Sequence, residues 1–154
     1  MGFWNAPDGR PLSGENGFRL MPTDDLATLP ASGRVDAVAG GHGIVFTYAW
    51  EHPADGPQTG ALLVGSPDED GVIIASWLDS WHQKPGPMTL VGTPLADGGC
   101  ALAATYAGDW GWQIDVTVDG GVRLIMRNVV PASAIGPDTP GEAGAYDVMV
   151  MRLV

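Results

Sequence analysis

The sequence predicts an all-β protein, a single antiparallel up-and-down β-barrel of about nine or ten strands, and three observations carry that reading. Apolar residues rarely recur at three- and four-residue spacing before Gly or Pro interrupts them, so no long helix is expected. Short runs rich in Val, Ile, Thr, Trp and Tyr alternate with turn pairs: Gly40-Gly41, Asp55-Gly56, Asp70-Gly71, Pro85-Gly86, Asp97-Gly98, Gly108-Asp109 and Gly120-Gly121. A meander of this length left open exposes two long strand edges, and closure removes them. A β-sandwich is the competing arrangement.

Residues 1–32 show few alternating runs and are expected to form an N-terminal extension that plugs a barrel mouth. Within it, residues 23–29 are expected to form one short helix, with Thr23 or Asp24 as N-cap and Pro30 as its stop. Residues 33–154 make the barrel domain. Its strands are expected at 34–39, 42–51, 58–66, 71–80, 88–95, 100–107, 110–118, 122–130 and 145–153. The stretch 131–144, with three prolines and three glycines, is a long loop before the last strand.

Alternation assigns faces most clearly in the C-terminal half. In 110–118 the even positions are Trp110, Trp112, Ile114, Val116 and Val118, and that face must be buried. Val122, Leu124 and Met126 share a face with Asn128, while Arg123 and Arg127 face water. In 42–51, His42, Ile44, Phe46, Tyr48 and Trp50 form the bulky side expected inside, with Val45, Thr47 and Ala49 opposite. The strand 71–80 is ambiguous, because Ile73, Ala75, Trp77, Asp79 and Trp81 compete with Val72, Ile74, Ser76 and Leu78. If the first set is interior, a carboxylate points into the barrel.

Composition narrows the partners. With 7 basic against 18 acidic residues and a net charge of −11 spread along the chain, nucleic acid and anionic membrane surfaces are excluded as partners. No window approaches the ~18 consecutive apolar residues of a membrane helix, and the first residues lack a basic segment followed by an apolar one. A cytoplasmic protein is expected. Cys100 is the single cysteine and lies in an apolar run, so it reads as a core residue with no disulfide.

The densest chemistry is Trp77-Leu78-Asp79-Ser80-Trp81-His82-Gln83-Lys84-Pro85. Indoles with a few polar groups are what a ligand pocket needs: apolar contact supplies affinity and hydrogen bonds supply orientation. Asp79 and His82 have two readings. They act as an acid and base pair if their side chains converge, or Asp79 merely accepts turn N–H groups while His82 is solvated. Arg19 either pairs with Asp79 or a ligand carboxylate, or is a surface arginine. His42, His52 and His82 show no metal-ligand spacing, so no metal is expected. Neither a Gly-x-Ser-x-Gly nucleophile motif nor a glycine-rich phosphate loop is present.

Taken jointly, Asn16-Gly17-Phe18-Arg19-Leu20-Met21-Pro22, Ala39-Gly40-Gly41 before Tyr48-x-Trp50, Asp79-Ser80-Trp81-His82, Trp110-x-Trp112 and Met126-x-Asn128-x-x-Pro131 resemble bacterial proteins of domain-of-unknown-function family 1579. The resemblance runs from about Asn16 to Leu153. It implies a calycin-like barrel, related in shape to lipocalins and fatty-acid-binding proteins, and carries no established reaction. Related haem-binding barrels have a Gly-x-Trp-x-Gly-x-Gly signature that is absent here, and no cofactor is expected.

The first expectation is a barrel that holds a small, largely apolar or aromatic ligand. Its site draws on Arg19, Tyr48, Trp50, Trp77, Asp79, Trp81, His82, Trp112 and Asn128. The second is an isomerase, cyclase or hydrolase using Asp79 and His82 in the same cavity. The third is a structural or dimerising module, so the chain is expected as a monomer or a homodimer.

Overall fold

Ten strands form in the computed structural model of the protein, which describes residues 2–154. They are β1 (Leu12–Phe18), β2 (Ala27–Val38), β3 (Gly43–His52), β4 (Gly56–Gly65), β5 (Ile73–Asp79), β6 (Gln83–Pro94), β7 (Gly99–Tyr106), β8 (Trp110–Val118), β9 (Val122–Val130) and β10 (Gly144–Leu153). Each pairs antiparallel with its neighbours in sequence, and β1 pairs with β10 through Gly14↔Leu153 to Phe18↔Met149, closing the barrel. The only helical pieces among the described residues are two 3₁₀ turns, Ala39–Gly41 and Ala132–Ala134. No helix is long and apolar enough to cross a membrane.

The interior is built by alternation. Ile44, Phe46, Tyr48 and Trp50 of β3 face inward with Leu62 and Val64 of β4, Ile73, Ala75 and Trp77 of β5, and Trp112, Ile114 and Val116 of β8, whereas His42, expected with them, caps the 3₁₀ turn before β3 and is exposed. The ambiguity in β5 resolves with the Ile73 set inside, since Ile74 and Leu78 are exposed and Asp79 is buried. Ile74 and Leu78 share the outer wall with exposed Leu63 and Val91. Most of the lumen is therefore filled by side chains. At one end Trp4 caps the core, donating its indole N–H to the Gly65 carbonyl at 2.9 Å.

The N-terminal third departs from the expectation. Residues 12–18 and 27–32, expected in a plug, are barrel strands, and no helix forms over 23–29, because Ala27 already opens β2. Gly14, Asn16 and Gly17 in β1 and Pro30 in β2 are poor strand formers. Their β conformation is imposed by closure, which pairs Glu15 with both Arg152 and Pro30. β6 also starts earlier than expected: Pro85-Gly86 lies inside the strand, and the turn falls at residues 80–82.

Candidate functional site

At the end opposite Trp4 the packing leaves a cavity of about 210 Å³. Trp77 of β5, Trp81, His82 and Gln83 of the β5–β6 turn, Met88 of β6, Tyr106 of β7, Trp112 of β8, Asn128 of β9, Tyr146 and Val148 of β10, and Leu20 after β1 line it. The wall is thus mostly aromatic.

Beside the cavity, against His82, sits a buried carboxylate. Asp79 ends β5 with its side chain inside the barrel, fully covered from solvent. Its Oδ2 accepts hydrogen bonds from the Tyr48 hydroxyl at 2.7 Å and the Trp50 indole N–H at 3.1 Å. Its Oδ1 accepts from the backbone N–H groups of Trp81 and His82, each at 2.9 Å, and lies 3.3 Å from His82 Nδ1. Burial alone would raise the Asp79 pKa. The His82 ring beside it, the His82 backbone N–H and the Tyr48 hydroxyl outweigh burial and hold the carboxyl down at about 2. Asp79 is therefore an anion with every oxygen lone pair engaged.

Tyr48 extends the network. Its hydroxyl accepts the Trp77 indole N–H at 2.9 Å while donating to Asp79. Burial first, and the Asp79 charge second, push its pKa well above the usual 10, so it stays a neutral donor. Room for the ring comes from glycine. Tyr48 is paired with Gly33 on one side and Gly60 on the other, and a Cβ at Gly60 would overlap the Tyr48 ring and hydroxyl.

His82 is the link between this network and the cavity. Its side chain is only 5% exposed, lies over Trp50 with ring centroids 5.3 Å apart, and approaches Trp112 at 5.5 Å. In the neutral tautomer that donates Nδ1–H to Asp79, Nε2 is left as an acceptor. Nε2 has no hydrogen-bond partner, and neither does Nε1 of Trp112. Both residues line the cavity. Trp112 also stacks on Trp77, with centroids 5.2 Å apart and planes 11° from parallel.

A second polar chain crosses the wall: Tyr106 donates to Asn128 Oδ1, Asn128 Nδ2 donates to Tyr146 at 3.4 Å, and Tyr146 donates to the Leu20 carbonyl at 2.8 Å. At the rim Trp81 stacks on His52, with centroids 4.7 Å apart, and donates to Asp55 Oδ2 at 2.8 Å. His52 Nδ1 accepts backbone N–H groups from Ala54 and Asp55 and lies 3.6 Å from Asp55 Oδ2.

Of the expected site residues, Trp77, Trp81, His82, Trp112 and Asn128 line the cavity. Tyr48, Trp50 and Asp79 do not line it and form the network that holds His82. The Asp79 and His82 side chains converge: Asp79 accepts the turn N–H groups as one reading expected, and His82 is buried against it and not solvated. Arg19 does not reach Asp79. Its guanidinium donates to the Asp147 carbonyl at 2.6 Å and to the Pro22 carbonyl at 3.1 Å, and it lies 5.9 Å over the Tyr146 ring. A short strand end with three backbone carbonyls close by satisfies the guanidinium locally.

Tyr106 and Tyr146 were not anticipated. Tyr106 shares the inward phase of Leu102, a signal present in the sequence. Tyr146 lies before an irregularity between Asp147 and Met149 that buries both Val148 and Met149, so its phase cannot be extrapolated from the end of the strand. Among the described residues no group of three or more His, Cys, Asp or Glu side chains is placed to hold a metal.

No protein-family model matches the chain, and a search of the curated proteins finds no match. The ten-stranded antiparallel barrel is consistent with a calycin-like shape.

Proposed function

We propose that the protein is a small-molecule-binding barrel whose ligand occupies the cavity at the Trp112 end. The observation that carries this reading is the pair of buried, unpartnered nitrogens, His82 Nε2 and Trp112 Nε1, on residues of one aromatic-walled cavity. Leaving a buried polar atom unsatisfied costs about 1–3 kcal/mol, and a bound ligand is one way to recover it. The motif resemblance to the bacterial family 1579 supports the same reading at the level of shape, because calycin-like barrels characteristically enclose ligands. Titration with a panel of lipophilic and aromatic metabolites, followed by tryptophan fluorescence, tests it. A saturable change supports binding, and a flat response across the panel contradicts it.

The 3.3 Å approach of Asp79 Oδ1 to His82 Nδ1 favours a second reading, an acid and base pair acting on the bound compound through Nε2. That reading requires turnover. Mass spectrometry of each binding compound after prolonged incubation distinguishes the two, since recovery of every compound unchanged leaves binding alone.

A further inference from the structure

Resting on the small-molecule reading, we propose that the cavity takes a small neutral hydroxy-aromatic compound, a phenol in chemical class, whose hydroxyl joins Trp112 Nε1 to His82 Nε2. Each part of the class follows from a different feature.

The size comes from the volume. A cavity of roughly 150 Å³ holds a benzene ring, so about 210 Å³ accommodates one substituted ring and not a long acyl chain. The aromatic character comes from the wall, where Trp77, Trp81, Trp112, Tyr106 and Tyr146 offer ring faces and edges to a flat guest.

The hydroxyl comes from hydrogen-bond chemistry. An indole N–H only donates, so Trp112 needs a lone pair from the ligand, which a hydrocarbon or a quaternary ammonium lacks. His82 Nε2, with Nδ1 turned to Asp79, needs a donor, which an ether or ketone lacks. A hydroxyl supplies both at once. The two rings are direct neighbours, their centroids 5.5 Å apart, so both unpartnered nitrogens belong to adjoining side chains of one wall.

Neutrality comes from the charges. No Lys or Arg lines the cavity, the Asp79 anion lies behind His82, and the chain carries a net −11, so a carboxylate guest meets repulsion with no cation to offset it. Both nitrogens are covered from water in the unliganded arrangement. The guest therefore reaches them by displacing a wall side chain, and Met88, unbranched with three rotatable bonds, is the one best able to move.

Calorimetric titration of the full chain at pH 7 with p-cresol, toluene, 4-methylanisole, cyclohexanol and 4-methylbenzoate tests the proposal. We expect p-cresol to bind about tenfold or more tightly than each of the other four, the factor that one well-made buried hydrogen bond supplies. We further expect Trp112→Phe, checked for folding by circular dichroism, to weaken p-cresol about tenfold more than it weakens toluene. Equal binding of p-cresol, toluene and 4-methylanisole overturns the hydroxyl assignment while leaving small-molecule binding intact. Cyclohexanol matching p-cresol overturns the aromatic assignment, and tightest binding by 4-methylbenzoate overturns neutrality. No binding of p-cresol overturns the inference outright, and the wider metabolite panel then decides separately whether any small molecule binds.

Discussion

Replacing Asp79 with Asn keeps the side-chain shape and removes one acceptor oxygen together with the charge. Whichever way the amide turns, its NH₂ confronts two donors: either the Tyr48 hydroxyl and the Trp50 N–H, or the backbone N–H groups of Trp81 and His82. Hydrogen bonds to a charged group contribute about 1.5–3 kcal/mol each, partly offset because a neutral amide is less costly to bury. The titration of Asp79 gives a second route to the magnitude. A pKa lowered from 3.8 to about 2 corresponds, at about 1.4 kcal/mol per unit, to roughly 2–3 kcal/mol of stability above the unfolded-state pKa. Both routes place the loss near 3 kcal/mol. Because the folded-state pKa lies below the unfolded one, this contribution is complete above about pH 4 and fades as pH falls through about 2. Urea denaturation of the native protein and Asp79→Asn, followed by far-ultraviolet circular dichroism between pH 7 and pH 2, isolates the term from the other carboxylates. The gap between the two proteins should be about 3 kcal/mol at pH 7 and should shrink toward pH 2. A gap under about 0.5 kcal/mol at pH 7, or one that does not change with pH, refutes the reasoning.

Three other perturbations probe the same interior. Tyr48→Phe strands the Trp77 N–H and removes a donor from Asp79, so stability should fall by about 1–3 kcal/mol, with acid-induced loss starting at a higher pH. Urea titrations at several pH values measure both effects. Gly60→Ala forces the Tyr48 ring off its seat and should cost about 1–3 kcal/mol, although residue 60 is a strand position that alanine occupies without backbone strain. A double-mutant cycle with Tyr48→Phe should show the two losses to be far less than additive. The Cys100 thiol is fully buried, and burial chiefly, then the Asp115 charge, push its pKa up to about 12. A thiol reagent at pH 8 should leave it unmodified in the folded protein and label it once denaturant is added.

The sequence expresses this barrel unevenly. β8 and β9 match expectation end for end, because each alternates bulky apolar with polar residues and is bounded by a glycine turn. β1 carries almost no such signal. Gly14 is exposed, Asn16 and Gly17 fill buried positions where large apolar residues would mark a strand, and pairing to β10 supplies what local preference lacks. β5 is apolar on both faces, since Ile74 and Leu78 lie outside, so only closure decides that Asp79 lies within. For the site, residue types in 77–82 point to the right turn, but Trp77 and Asp79 share one face of β5, and only the fold has Trp77 line the cavity while Asp79 bonds Tyr48 and Trp50 of β3. Periodicity reports the face of a strand and not the partner across the lumen. Arg19 illustrates the limit in another way, because backbone carbonyls that satisfy a guanidinium have no sequence signature.

The chain holds six tryptophans, so its indole N–H groups form a small set of resolved reporters in a nitrogen-15 correlation spectrum. Titrating p-cresol while following those signals tests the central claim most directly. A saturable shift should be largest for Trp112 and should leave Trp4, bonded to Gly65 at the far end, in place. Signals that stay still throughout contradict a phenol site, and a saturable shift that favours Trp4 or Trp110 over Trp112 contradicts a ligand site at this cavity.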